Sequence, residues 1–309
     1  MDPHRNSRPG LHMSAADWTR LLLLGAIWGG SFFFARIAVA EMPPLVLVFW
    51  RVALAAAALH LYLLVAGPSF RLARPHLPML ALLALINNVI PFSLIFLGQT
   101  QLGAGLAAVL NSTTSFWTLL LANALTADEK LSWNKVFGIL LGIAGTAVTV
   151  GPGMLSGLGA PFWAKAALIG ASLAYAFALI VARRLKAVPP PVIATAQVTW
   201  SALIMLPVAL LGFGPEAMVS ASPGTWSAVV GLALVSTAVA YLLYFRLVAD
   251  AGATNASLVT LIVPASAIVL GTLFLDERLH STEIVGMLVI LAGLLTIDGR
   301  LGALLRGRR

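Results

Sequence analysis

Asp128-Glu129-Lys130-Leu131 returns 148 residues later as Asp276-Glu277-Arg278-Leu279. The same offset carries Gly138 and Gly145 onto Gly286 and Gly293. Upstream, Gly103-Ala104 corresponds to Gly252-Ala253 with a slip of one residue, and Pro44 has its counterpart in the Pro189–Pro191 run. Glycines and a charged turn at matched spacings mark a duplicated unit.

The chain around these blocks is built for lipid. Of 309 residues, 60% are hydrophobic and only 10% charged, with a mean hydropathy of +0.97. That is too little charge to cover a soluble surface of this size. Cysteine is absent, which excludes disulfides, thiolate metal sites and a cysteine nucleophile. The net charge of +8 does not point to nucleic acid, because the bases lie at the termini and in short loops rather than in a patch interleaved with aromatics.

About twenty apolar residues cross a bilayer as a helix. Ten stretches qualify: 20–39, 44–66, 76–99, 103–125, 133–151, 160–182, 190–211, 225–248, 253–275 and 281–298. Turns such as Gly67-Pro68 and Gly151-Pro152-Gly153 separate them. The runs are continuous, not alternating, which excludes a β-barrel. No small-residue cleavage site follows the first stretch, so it reads as an uncleaved span. With both termini in the cytoplasm, fifteen Lys and Arg fall inside and only Lys165 and Arg278 outside, while Arg36 and Arg51 lie within spans. This is a strong positive-inside bias.

Five spans per copy is an odd number, so the second copy enters the membrane upside down. The expected fold is an all-α membrane protein of ten transmembrane helices, formed as two inverted five-helix repeats around a central cavity. A cytoplasmic tail (1–19) precedes the first repeat (20–151), and a basic cytoplasmic tail (300–309) follows the second (160–299). Inverted repeats let one scaffold open to either side in turn, the usual logic of alternating access.

Further residues carry a family likeness. Trp28-Gly29 with Phe32 and Arg36 in the first span, Phe49-Trp50-Arg51 in the second, and the two Gly-Ala…Asp-Glu-Lys/Arg-Leu…Gly…Gly blocks resemble the paired EamA domains of the drug/metabolite transporter superfamily. The resemblance covers nearly the whole chain and implies a ten-helix exporter fold with a cavity between the halves. The general look is similar to YddG-like amino-acid exporters. Two departures are visible: Arg36 stands where the family often has lysine, and Phe116 occupies the stretch where the second repeat keeps Pro264.

The polar residues inside the spans are the candidate site. Asn87 and Asn88 precede Pro91, whose missing donor permits a bend; Pro91 and Pro264 are candidate hinges. Asn111, Thr114, Ser115 and Thr118 form one stripe at helical spacing. Tyr175, Tyr241 and Tyr244 add hydroxyls on aromatic arms, and Asn255 and Ser257 precede Pro264. Such groups also serve as glue between helices. Trp28 and Trp117 are deep enough to offer stacking surfaces or to pack against neighbours, whereas Trp18, Trp133, Trp163 and Trp226 read as an interfacial belt. Arg51 either holds a substrate carboxylate or satisfies carbonyls at a kink, and Arg36 either contributes likewise or reaches the headgroups.

All eleven acidic residues lie outside the spans or at their ends. A buried carboxylate relay is therefore not expected, and transport by facilitation or exchange is. Amides, hydroxyls and tryptophans without buried acids suit a neutral or zwitterionic solute better than a cation. The reading is a secondary transporter of the inner membrane that exports small amphipathic metabolites, with amino acids, including aromatic ones, favoured. Its alternatives are a drug or nucleoside-type metabolite exporter of the same fold, a passive channel or lipid scramblase, and a membrane enzyme. The histidines at 4, 12, 60, 76 and 280 show no metal-ligand spacing, so neither metal nor cofactor is expected. The expected partners are a small-molecule substrate and the bilayer, for a monomer or homodimer. The glycines of the fifth and tenth spans read as packing or dimer faces.

Overall fold

The computed structural model describes residues 14–125, 133–156, 160–251, 256 and 258–298. The Asp128–Leu131 block, Asn255 and Ser257 lie outside the described residues. Within these segments the regular structure is entirely helical. The helices are α1 (Ala15–Ala38), α2 (Pro44–Val65), α3 (Phe70–Gln99), α4 (Ala104–Leu125), α5 (Trp133–Ser156), α6 (Phe162–Ala182), α7 (Pro190–Ala217), α8 (Pro223–Val248), α9 (Val259–Phe274) and α10 (Ser281–Asp298). Among the described residues, seven helices are long and apolar enough to cross a membrane, and α5, α9 and α10 contain shorter apolar stretches.

Local chemistry explains where several helices begin. α1 starts five residues before the expected span because Ser14 and Asp17 form a capping box: Ser14 Oγ accepts from Asp17 N at 3.2 Å, and Asp17 Oδ2 accepts from Ser14 N at 3.1 Å. Prolines open α2, α7 and α8, where a missing N–H costs nothing. α7 runs beyond the expected end at 211 to Ala217, with a break at Gly214, whose φ of 76° suits glycine.

Three helices depart from regular α geometry inside the bundle. α3 passes through a π-helical segment, Leu85–Val89, just before Pro91. Ile90 N donates back to Leu85 O, five residues earlier, so the chain accommodates the proline without a sharp break. α8 has a longer π-helical segment, Gly231–Val239. α4 is interrupted at Thr113, where the hydroxyls of Ser112, Thr113 and Thr114 donate to the carbonyls of Val109, Leu110 and Asn111. α9, by contrast, carries Pro264 within one continuous helix.

Packing follows small residues. A methyl group on Gly145 of α5 would lie 2.7 Å from Gly286 O of α10, and one on Gly293 would lie 2.7 Å from Gly138 O. These glycines therefore close α5 on α10 within one chain. Gly29 does the same for α1 on α9, 2.9 Å from Val263 O by the same measure. The principal helix pairs are α1–α8, α1–α9, α2–α7, α2–α8, α3–α6, α3–α7, α4–α6, α4–α9 and α5–α10. This list is unchanged when each of α1 to α5 is exchanged with the helix five places later. Leu61, Leu64, Leu203, Leu211, Leu273 and Leu288 point outward and exposed, an apolar exterior suited to lipid.

Candidate functional site

The π-helical turn of α3 presents Asn87 and Asn88 to α7. Asn87 Nδ2 donates to Gln197 Oε1 at 2.9 Å, and Asn88 Nδ2 donates to Ser201 Oγ at 3.1 Å. Ser201 donates onward to its own helix at Gln197 O, 2.7 Å away. From α8, Tyr241 OH donates to Asn88 Oδ1 at 3.4 Å, a long bond. Asn88 and Ser201 are both fully buried. Gln197 and Ser201 are four residues apart, and so share a face of α7.

Arg51 of α2 lies against the same group of helices. Its Nε donates to Thr237 Oγ1 at 3.0 Å, and Thr237 donates to Leu232 O, five residues back in the π-helical segment. The guanidinium carbon stands 3.7 Å above the centroid of the Phe92 ring and 5.7 Å from that of Phe96. Asn88, Phe92 and Phe96 repeat every four residues along α3, which brings amide and rings to one face. Tyr175 of α6 and Tyr241 pack against the same buried core as Phe92 and Phe96. Contributions thus come from α2, α3, α6, α7 and α8.

The remaining candidates fall into neighbouring groups. Trp28 packs on Tyr244 with ring centroids 5.5 Å apart, and Phe245 links Tyr244 to Tyr241 at 5.8 and 6.0 Å. On α4, the carbonyl of Asn111 accepts from Thr114 at 2.7 Å and from Ser172 of α6 at 3.2 Å. Asn111 Oδ1 and Trp117 Nε1 are buried without a hydrogen-bond partner among the described residues, and Ser115 is half-buried on the same helix. Thr118 donates to Thr114 O. Arg36 stands apart from all of these. It donates to the carbonyls of Gln99 and Thr100 at 2.7 and 3.3 Å, a cation on the C-terminus of α3.

A cavity of about 740 Å³ opens where α1 ends and α2 begins; Arg36, Glu41, Gln101, Thr225, Glu277 and His280 line it. Two carboxylates fasten its walls. Glu277 accepts from the N–H groups of Ala104 and Gly105 at 2.7 and 3.3 Å, at the N-terminus of α4. Glu41 Oε2 accepts from Ser222 N at 2.9 Å, at the start of α8. That N–H, with the hydroxyls of Ser222 and Thr225, holds the Glu41 carboxyl below its usual range.

Sequence reasoning missed Gln197, Ser201 and Thr237. The signal was present for α7, since Gln197 and Ser201 make a polar i,i+4 pair in a span whose other polar residues are Thr195 and Thr199. Among the described residues no group of three or more His, Cys, Asp or Glu side chains has metal-binding geometry.

A helical bundle with an apolar exterior and polar groups meeting between its helices has the build of an integral membrane protein. The model of the EamA-like transporter family matches residues 19–151 and again 162–297, and the chain belongs to that family. It is 28% identical over 294 residues to the probable amino-acid metabolite efflux pump of Escherichia coli K12, covering 91% of this chain and 94% of that one. It is 29% identical over 281 residues to the uncharacterized inner membrane transporter YedA of the same strain, covering 90% and 89%. A solved structure of 18% identity superposes with a TM-score of 0.64 over 91% of this chain and 95% of its own, a likeness of fold alone.

Proposed function

We propose that the chain is a secondary transporter of the inner membrane that exports small amphipathic metabolites by alternating access, with amino acids, including aromatic ones, as the favoured class. The observation that carries this is the composition of the buried site. Asn87, Asn88 and Arg51 come from helices of the first half, and Tyr175, Gln197, Ser201, Thr237 and Tyr241 from helices of the second. A solute held by both halves feels every movement of one against the other, which is what alternating access requires.

Two further observations support inverted repeats. The packing list maps onto itself under exchange of the halves, and π-helical segments occur in α3 and α8, which occupy the same place in each half. The name of the Escherichia coli relative favours amino-acid metabolites over drugs or nucleosides. The charge bias supports cytoplasmic termini, which would place the 740 Å³ cavity at the outer face.

The test is saturable counterflow of labelled phenylalanine in proteoliposomes. Asn88→Ala, Tyr241→Ala and Trp28→Ala are each expected to slow it by tenfold or more, on the order of one or two lost hydrogen bonds or ring contacts. Unchanged counterflow in all three would remove the site from the pathway. A flux that never saturates would mean a channel.

A further inference from the structure

The structure assigns the recognition of a substrate carboxylate to Arg51, and from this we infer that the site selects monocarboxylates with an apolar or aromatic tail whether or not they carry an amino group. The inference rests on the transporter reading above.

Arg51 lies seven residues into α2, about 10 Å from its start at 1.5 Å per residue, and is only 7% exposed. A guanidinium at that depth is expensive unless its charge is answered. No described acidic residue answers it: its one hydrogen bond is to the Thr237 hydroxyl, through Nε. All eleven acidic residues of the chain lie outside the expected spans or at their ends. The carbonyl-satisfying role that a buried arginine often takes belongs to Arg36. Arg51 is held instead by the face of Phe92 and by one hydroxyl, contacts that fix its plane and leave its charge in place. The two terminal nitrogens have no partner among the described residues and are not fully enclosed. They form the planar fork that a carboxylate fits bidentately.

Among the described residues, no carboxylate is paired with Arg51 that could instead take an ammonium group. The side chains around Arg51 are amides, hydroxyls and aromatic rings, and the Phe92 face is already taken by the guanidinium. A second cation would be repelled by Arg51. The carboxylate is therefore the handle, the rings receive the tail, and the amino group contributes little.

Three probes of one shape separate these roles: phenylalanine, 3-phenylpropionate, which lacks the amino group, and phenylethylamine, which lacks the carboxylate. As competitors of labelled phenylalanine counterflow, the first two are expected to act within about fivefold of each other. Phenylethylamine should be on the order of a hundredfold weaker, the worth of a charge-assisted bidentate pair. Arg51→Gln should abolish counterflow of phenylalanine itself, and Arg51→Lys should retain part of it. Thermal stabilisation of the purified protein by 3-phenylpropionate, lost in Arg51→Gln, reads the same site without transport. Stabilisation without counterflow would keep the carboxylate site and sink the transporter reading. Should Arg51→Gln fail to fold, Thr237→Val releases Nε while keeping the charge, and is expected to weaken 3-phenylpropionate several-fold. Equal competition by phenylethylamine and 3-phenylpropionate, or carboxylate binding untouched by both substitutions, would overturn the assignment.

Discussion

Glu41 shows at the scale of one residue how the ends of this bundle are held. Its carboxylate reaches from the α1–α2 connection to the N–H of Ser222, the residue that caps α8, satisfying a donor that a helix start leaves unpaired. The bond favours the ionised form, so the folded carboxyl titrates lower than the unfolded one. The sign follows: its contribution is complete above the unfolded value, about 4.3, and is lost as pH falls through the depressed folded value. The unfolding midpoint of the wild type is expected to drop across that acid window, and Glu41→Gln should flatten this limb. Scanning fluorimetry from about pH 7 to about pH 3 measures both, and identical acid limbs would exclude this contact as the cause. Glu41 was visible in the sequence only as an acid outside the spans. Its partner Ser222 is 181 residues away, and no local pattern joins them.

Among the elements, α5 and α10 depend most plainly on glycine. Gly293 faces Gly138 and Gly142 at a distance that leaves no room for a side chain, and Gly145 faces Gly286 and Ile290. Gly293→Ala is expected to cost about 1–3 kcal/mol by overpacking, since both close atoms are backbone and cannot rotate away. Gly212→Ala is the control, because a methyl group there meets nothing within 4 Å. Thermal unfolding in detergent compares the two, and equal midpoints would show that the α5–α10 seam tolerates a methyl. Seven of the ten expected spans were legible as long apolar helices, because twenty apolar residues are a strong signal, and the glycines of the seam were legible because they repeat. The π-helical segments were not. An i→i+5 turn has no composition of its own, and Pro91 announced only that a bend was permitted. The same limit hid the break at Thr113, which arises from hydroxyls competing for carbonyls rather than from Gly or Pro.

For the whole molecule, duplication was readable from the recurrence of Asp-Glu-Lys/Arg-Leu, and the family match to two separate segments agrees with it. The composition of the site was only half readable. Asn87, Asn88 and Tyr241 stood out as polar residues in apolar runs; Asn88 and Tyr241 bond each other and Asn87 bonds Gln197, whereas Arg51 had no recognisable partner because its neighbours are Phe92, Phe96 and a single hydroxyl. Cation–π contacts leave no trace in a sequence, since phenylalanine is expected in every span. In the proposed transport cycle the halves move against each other around a shared site. The absence of cysteine makes this directly testable. Gln101 and Gly224 line the same cavity from opposite halves, and both are exposed. In a Gln101→Cys, Gly224→Cys protein, a cleavable bis-maleimide should abolish exchange of labelled phenylalanine, and cutting the linker with reductant should restore it. Exchange that proceeds at full rate in the cross-linked protein would contradict alternating access through this cavity.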